Sequence, residues 1–335
     1  MEQTILLDAG SGGRASQRLI RDIFMAAFGN PQLEQMNDAA LLEPEPGKMA
    51  MSTDSYTVSP LFFPGGSIGT LAINGTVNDV SMLGAVPRWL SAAFILEEGL
   101  QVAKLERIVA DMASACRESE VRIVTGDTKV VPKGACDGIF ITTTGIGDII
   151  ADPAPTGGAA QPGDAILISG AVGDHGLAVM ASREGVSFLS DTVSDCAPLA
   201  GMVRNLFEAK LPVHVLRDPT RGGLATTLNE IAEQSGQGIE IDEARIPVHA
   251  SVDEGCSFLG LDPLYLANEG KCICILPEDR AAEALQIMRA SPYGKEAALI
   301  GRVESRRPGK VVLNTRMGGQ RFLGMLEGAP LPRIC

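Results

Sequence analysis

Apolar residues along this chain follow two rhythms, and the changes between them mark out its elements. Met49–Val58, Arg88–Leu96, Val121–Val131 and Gly138–Ile149 predict strands, the last two rich in β-branched residues. Between them, Ala15–Phe28 predicts a helix behind a Gly-rich turn, and Val102–Glu118 carries an amphipathic helical repeat. Ser67–Leu83 predicts a helix carrying glycine and other small residues. The pattern then breaks over 152–163, a stretch dense in Pro and Gly that predicts a domain boundary.

Beyond it the alternation restarts. Strands are expected at Asp164–Ser169, Gly238–Ile241, Lys271–Leu276, Leu299–Val303 and Val311–Asn314. Helices are expected at His175–Glu184, Pro198–Ala209, Leu224–Ser235 and Arg280–Ala290. After about Gly324 the periodicity dissolves, which predicts a mobile tail over 324–335. The organisation is thus an extension over 1–35 with a Gly-rich loop, a domain over 36–151, a second over 164–323, and the tail. Both domains mix strands and helices, an α/β (α+β) pattern. The 335 residues support two cores, since single cores rarely grow beyond roughly 250–300 residues.

The net charge of −13 argues against nucleic acid as a partner, because phosphate recognition relies on Lys and Arg. No apolar run is long enough for a membrane span, and Met1-Glu2-Gln3-Thr4 does not open a signal peptide, so a cytoplasmic location is expected. The seven cysteines form no CxxC pair, as in a reduced cytosolic protein. Cys272 and Cys274 share one face of an apolar strand and read as small core residues.

The final cysteine, Cys335, is different: a thiol on a free chain end can serve as a substrate arm. Asp38, Asp54, Asp79 and Asp127 each lie beside small or polar residues near the end of an element. Singly, each reads as a cap or turn residue; four together suggest Mg²⁺ held with triphosphate oxygens. Lys129 shares a strand face with Asp127 and would meet phosphate, or form an ordinary surface ion pair. Gly-rich turns at 9–14, 170–176 and 218–224 precede helices, where backbone N–H groups can approach an anion or simply make a turn. His175, in the second of these, reads as a cap or a packed side chain. Glu269, at a loop–strand junction, is either a general base or a partner of Lys271.

Asn78-Asp79, followed four residues on by Gly84-Ala85-Val86-Pro87, resembles the PurM-like ATP-binding superfamily, as do Asp54 and Gly126-Asp127-Thr128-Lys129. Within it the chain is similar to the HypE carbamoyl dehydratase family over nearly its full length. The likeness rests on Ser169-Gly170, Gly173-Asp174-His175-Gly176, Arg217-Asp218-Pro219-Thr220-Arg221-Gly222-Gly223 and Asn268-Glu269-Gly270. The ending Pro332-Arg333-Ile334-Cys335 is the most specific mark. Asp8-Ala9 stands where that family often has His-Gly, and Ser11 stands where selenophosphate synthetases carry their reactive Cys or Sec.

The resemblance implies a two-domain PurM-like fold, with an N-terminal sheet that closes into a β-barrel in a homodimer and a C-terminal α/β sandwich. It implies that Cys335 receives a carbamoyl group from the carbamoyltransferase HypF, that ATP and Mg²⁺ drive its dehydration to a thiocyanate, and that the HypC–HypD complex accepts the cyanide. It assigns catalysis to Cys335, Lys129 and Glu269, and Mg²⁺ to Asp38, Asp54, Asp79 and Asp127. Nucleotide contacts fall to Gly12, Gly13, Asp54, Asn78, Asp79, Thr128, Arg221, Gly222 and Gly223, and Arg333 would help seat the tail. Two other readings remain: a small-molecule synthetase or kinase of the same superfamily, and a nucleotide-binding scaffold that only presents its tail.

Overall fold

The computed structural model describes residues 4–10, 13–35, 39–184, 192–327 and 334. Asp38, Gly12, Arg333 and Cys335 therefore lie outside the described residues. The extension is not a loose arm. Helix α1 (Gly13–Leu19), a π-helical turn over Ile20–Met25 and α2 (Ala26–Phe28) form one continuous element. Leu19, Ile23, Phe24 and Phe28 pack from it into the first core, and Ile5 exchanges backbone hydrogen bonds with Leu100 (2.7 Å) and Gly99 (2.8 Å).

β1 (Met49–Tyr56) follows, then a two-residue pair, β2 (Phe62–Phe63) with β3 (Gly66–Ser67), then α3 (Ile68–Met82). β4 (Ala85–Glu97), α4 (Val102–Glu118), β5 (Arg122–Val131) and β6 (Ile139–Ile149) complete the first unit. Its sheet has the order β1-β6-β4-β5, with only β4 and β5 parallel. The sheet is open: among the described residues β1 and β5 are edges, so one chain holds no closed barrel.

In the second unit β7 (Asp164–Ile168), α5 (Asp174–Glu184), α6 (Ala200–Glu208), β8 (Val215–Arg217), α7 (Gly223–Ser235), β9 (Gly238–Asp242), α8 (Ala250–Leu259), β10 (Ile273–Pro277), α9 (Ala281–Ala290), β11 (Ala298–Glu304), β12 (Val311–Asn314) and β13 (Gln320–Leu323) follow in order. Seven strands pair as β13-β12-β9-β11-β7-β10-β8. Strand alternation sends Ile166 and Ile168 to the core beneath α7, and Ala165 and Leu167 to the core beneath α6 and α9. Cys272 and Cys274 share that second core, both fully buried, as expected of packing residues. Among the described residues no helix is long and apolar enough to cross a membrane.

Three features go beyond the sequence pattern. The Pro/Gly stretch between the units is packed: its 3-10 turn over Gly157–Ala159 lies against Gln234 at the end of α7. Helix α8 was hidden because Gly255 and two serines depress helical propensity in its ten residues. The tail is not free where it is described. Leu326 N–H donates to Thr226 Oγ1 (3.2 Å), and Ile334 is 7% exposed within the first core. Proline and glycine in the tail masked an apolar anchor beside its end.

Helix α3 joins the two units. Its start is set at Ser67, whose N–H donates to Thr70 Oγ1 (2.8 Å). It is apolar or small nearly all round, so it is buried on every side, against β1, β4 and β6, against α4, and against α6 of the second unit. Asn78 fastens that last contact. Its Nδ2 donates to the carbonyls of Ala197 (3.0 Å) and Glu269 (3.4 Å), and its Oδ1 accepts from Leu199 N–H (2.8 Å). Asn78→Ala strands two buried backbone groups, Ala197 O and Leu199 N–H, while Glu269 O keeps the Ala197 N–H, so it should lower the unfolding free energy by about 2–4 kcal/mol. Urea denaturation checks this, and an unchanged midpoint would contradict it.

Candidate active site

A cavity of about 240 Å³ opens where the units meet, lined by Asp54, Tyr56, Asp79, Asp218, Arg221 and Glu269 among others. Each wall has a local cause. Asp54 and Tyr56 are alternate residues of β1 and so share its helix-covered face. Asp79 stands on α3 and accepts from Ser52 Oγ (2.7 Å). Tyr56 Oη is held by Thr76 Oγ1 (3.1 Å) over Gly75, where any β-carbon would come within 2.4 Å of that hydroxyl. Asp218 and Arg221 ride on the turn that starts α7. Gly222 and Gly223 make that turn with φ of +76° and +61°, and a β-carbon on Gly223 would strike the Leu264 and Leu266 carbonyls.

Three acids here are pushed toward neutrality. Burial, then the charge of Asp79, lifts Asp54 to about 6, while Arg221 opposes the shift. Burial and the charge of Asp79 lift Asp218 to about 7. Glu269 is raised well above the usual range, by burial first and then by Asp218, Asp195 and Asp79. Lys271 does not relieve it. Lys271 Nζ pairs with Asp195 Oδ2 (3.2 Å), and Asp195 Oδ1 also accepts from Glu269 N–H (3.1 Å). Glu269 is therefore not the partner of Lys271: it lines the acidic cavity, and Lys271 binds Asp195.

The donors are all hard oxygens, the chemistry a small divalent cation selects. Yet among the described residues no three His, Cys, Asp or Glu side chains form a ready-made metal cage. The protein offers part of a coordination shell, which suits Mg²⁺ shared with phosphates.

The expected set is only partly assembled within one chain. Asp54 and Asp79 meet; Asp127 does not join them. The register runs Ser55↔Thr142↔Ala93↔Asp127, which puts Asp127 three strand spacings, about 14 Å, from β1. Asp127 and Lys129 share the helix-free face with Ala93 and the exposed Ile95, opposite to Asp54. There they pair with each other (2.9 Å), and Asp127 Oδ1 also accepts from Thr128 N–H (2.8 Å). This bond to Lys129 holds Asp127 below the ordinary carboxylate range. Asn78 spends its amide on backbone groups, and Gly223 N–H donates to Thr220 O (3.0 Å), so neither points a free group at a phosphate. Gly13 starts α1 and is not among the residues lining the acidic cavity.

Asp218 is the residue the sequence reading passed over. It lay in a turn that was read as glycine-driven, although an Asp-Pro step before two glycines is itself a signal for a carboxylate on a fixed turn. A second cavity, of about 310 Å³, lies between the N-terminal helix and β4–β5. Leu19, Phe24, Phe28 and Phe94 line it, with Gly126–Lys129 at its rim.

A two-unit α/β chain with an acidic seam defines a class. The AIR synthase related N-terminal domain matches residues 36–149, and the AIR synthase related C-terminal domain matches residues 161–314. The chain is 52% identical to carbamoyl dehydratase HypE of Azotobacter vinelandii, over 97% of this chain and 96% of that protein. A crystal structure of hydrogenase maturation protein HypE in complex with ATP aligns with a TM-score of 0.97 at 62% identity, covering 99% of this chain and all of that one. A HypE–HypF complex aligns with a TM-score of 0.81 at 49% identity, covering 92% and 99%. The chain belongs to the carbamoyl dehydratase HypE family.

The raised acids set a pH dependence. An acid whose folded pKa exceeds its unfolded value stabilises the fold below the unfolded pKa, and that contribution is lost as pH rises through the folded value. Without divalent cations, the thermal midpoint should therefore fall between about pH 4 and pH 7. Asp218→Asn should flatten the fall in thermal scans with chelator present; parallel curves would contradict the assignment.

Proposed function

We propose that the chain is an ATP-dependent carbamoyl dehydratase acting on its own C-terminal thiol. The observation that carries this is the docking of Ile334 against His175, between the two units. Ile334 is buried there, and its carbonyl leads through His175, Ser194 and Cys196 to Ala197, whose N–H donates to Glu269 O (3.3 Å). A small-molecule synthetase would have no reason to tie its penultimate residue, by a continuous run of polar contacts, to the backbone that carries Glu269.

The reaction balances as Cys-S-C(=O)-NH₂ + ATP → Cys-S-C≡N + ADP + phosphate + H⁺. The amide oxygen bonds to the γ-phosphorus and ADP leaves, which turns a poor leaving group into phosphate. The C–O bond then breaks with phosphate departing, while the nitrogen gives up both protons. Glu269 suits the proton-accepting task, since a carboxylate with a raised pKa is a stronger base once ionised. Arg221, exposed at the cavity rim, suits triphosphate oxygens. Asp54, Asp79 and Asp218 would hold Mg²⁺, which when bound offsets phosphate charge. Burial of the seam keeps water from the activated amide.

The nucleotide needs more than one copy of the chain. β1 and β5 are both unpaired edges, and Met49, Met51 and Ile95 are exposed beside them. Closing β5 on β1 of a second copy forms the barrel of a homodimer. It brings the partner subunit's Asp127, Thr128 and Lys129 to Asp54, and the partner's apolar cavity within reach of the phosphates as a seat for adenine. Lys129 then meets phosphate rather than only Asp127. A HypF-type carbamoyltransferase would load the thiol, and a HypC–HypD-type complex would take the cyanide.

Two measurements test this. Mass spectrometry of the C-terminal peptide, after carbamoyl loading, should show loss of one water only with Mg-ATP. Cys335→Ala should abolish it with nucleotide affinity intact; an unmodified Cys335 in the wild type, with ATP spent on a diffusible acceptor, favours the small-molecule synthetase. Asp54→Asn and Lys129→Ala should each lose about a hundredfold in rate. Re-annealed together they should recover up to about a quarter of wild-type activity, since half the dimers are mixed and carry one intact site each. No recovery would mean that each site is built within one chain.

A further inference from the structure

We propose that His175 is the positioning residue for the reactive chain end, gripping the backbone carbonyl of Ile334 through Nε2 and so setting how the following thiol is presented. The inference rests on the dehydratase reading above, which makes Cys335 the carrier.

The geometry specifies one tautomer. His175 is fully buried at the start of α5, and its Nε2 lies 2.7 Å from Ile334 O. A carbonyl can only accept, so Nε2 carries the proton. Nδ1 is then an acceptor, and Ser194 Oγ lies 2.8 Å from it and donates. Ser194 is itself fixed from both units. Its N–H donates to Pro64 O (2.9 Å), and its Oγ accepts from Cys196 N–H (3.1 Å). Phe63 closes the remaining side with its ring edge-on to the imidazole, centroids 5.5 Å apart. Burial lowers the His175 pKa, in keeping with a neutral ring. Every polar atom of the ring is thus committed, and one of its two bonds spans 159 residues to reach the penultimate residue of the chain.

A histidine needed only for packing would not bond to a segment that must leave the seam to be loaded. Among the described residues one neutral hydrogen bond and one buried isoleucine hold the end, and loss of such a bond shifts a docking equilibrium by roughly tenfold, as suits a reversible latch. The latch therefore separates two steps that want opposite things. Dehydration needs the end docked, and loading by another protein needs it released.

The test uses the full-length protein with His175→Leu, His175→Gln and Ser194→Ala. Docking is read first, without chemistry, as the rate at which iodoacetamide alkylates Cys335, quantified on the C-terminal peptide. Single-turnover dehydration of the carbamoylated protein, its KM for ATP, and the carbamoyl-loading rate are then measured. For His175→Leu we expect alkylation and loading to quicken by roughly tenfold, dehydration to slow by about as much, and the KM for ATP to hold. His175→Gln should restore both rates, because its amide can donate to Ile334 O and accept from Ser194. Ser194→Ala, which frees the tautomer but keeps the ring, should fall between and guards against a leucine variant that does not fold. Alkylation unchanged in His175→Leu and Ser194→Ala overturns the proposal, as does a glutamine variant that behaves like leucine or loading and dehydration that fall together. If alkylation responds as expected while the wild type forms no thiocyanate, the dehydratase reading has failed and the positioning role in that reaction falls with it.

Discussion

The buried state of α3 is the constraint on which the rest of the structure depends. A helix that is apolar on every side must be covered on every side. One sheet and α4 cannot do that alone, so the second unit is drawn onto its remaining face. Asn78 gives that hydrophobic contact a direction, because its three hydrogen bonds are satisfied only when the chain before α6 and the loop before β10 arrive together. Those two segments carry Cys196 and Glu269. The geometry of the seam is therefore a consequence of core packing, and Asp79, one residue along from Asn78, is aimed into it by the same helix.

Once the seam is closed, electrostatics works against it. Asp54, Asp79, Asp218 and Glu269 share a space in which Arg221 opposes the shift of Asp54 and Arg217 that of Asp218, and neither cancels it. Burial and mutual repulsion then raise the pKa values of Asp54, Asp218 and Glu269. The fold holds this arrangement because each acid is fixed by something other than its charge: strand alternation for Asp54, a helix for Asp79, a glycine turn for Asp218, and a backbone anchor for Glu269. A divalent cation would offset the acidic charge and could bridge it to a triphosphate.

Much of this was legible in the sequence, for identifiable reasons. Strands and helices with clear periodicity, such as Val102–Glu118 and Gly138–Ile149, form as expected. Asp54 and Asp79 were visible as acids at element ends, and Glu269 as an acid at a junction, though only the structure shows that Lys271 turns to Asp195. Long-range register was not legible. Nothing local to Gly126-Asp127-Thr128-Lys129 says that β5 is an edge three strands from Asp54, facing the other way. Asp218 was masked by the glycines beside it. Ile334 was masked by the prolines before it: periodicity needs several residues, and an anchor of one apolar side chain has none.

That single anchor explains why a chain end can be a substrate at all. A thiol tethered to its own enzyme is present at an effective concentration far above what diffusion supplies, so binding energy is not needed to capture it. Strong binding would be a defect, because a tightly held end could not visit a second protein. Among the described residues the seam offers it one buried isoleucine and one hydrogen bond, whereas the acidic cavity, with a divalent cation between, would offer a nucleotide several charged contacts. Affinity is thus concentrated on the diffusible partner, and the tether supplies the rest. The same reasoning accounts for the fixed tautomer of His175. A weak latch can still orient if its donor cannot rotate or change state, and Ser194 removes both freedoms.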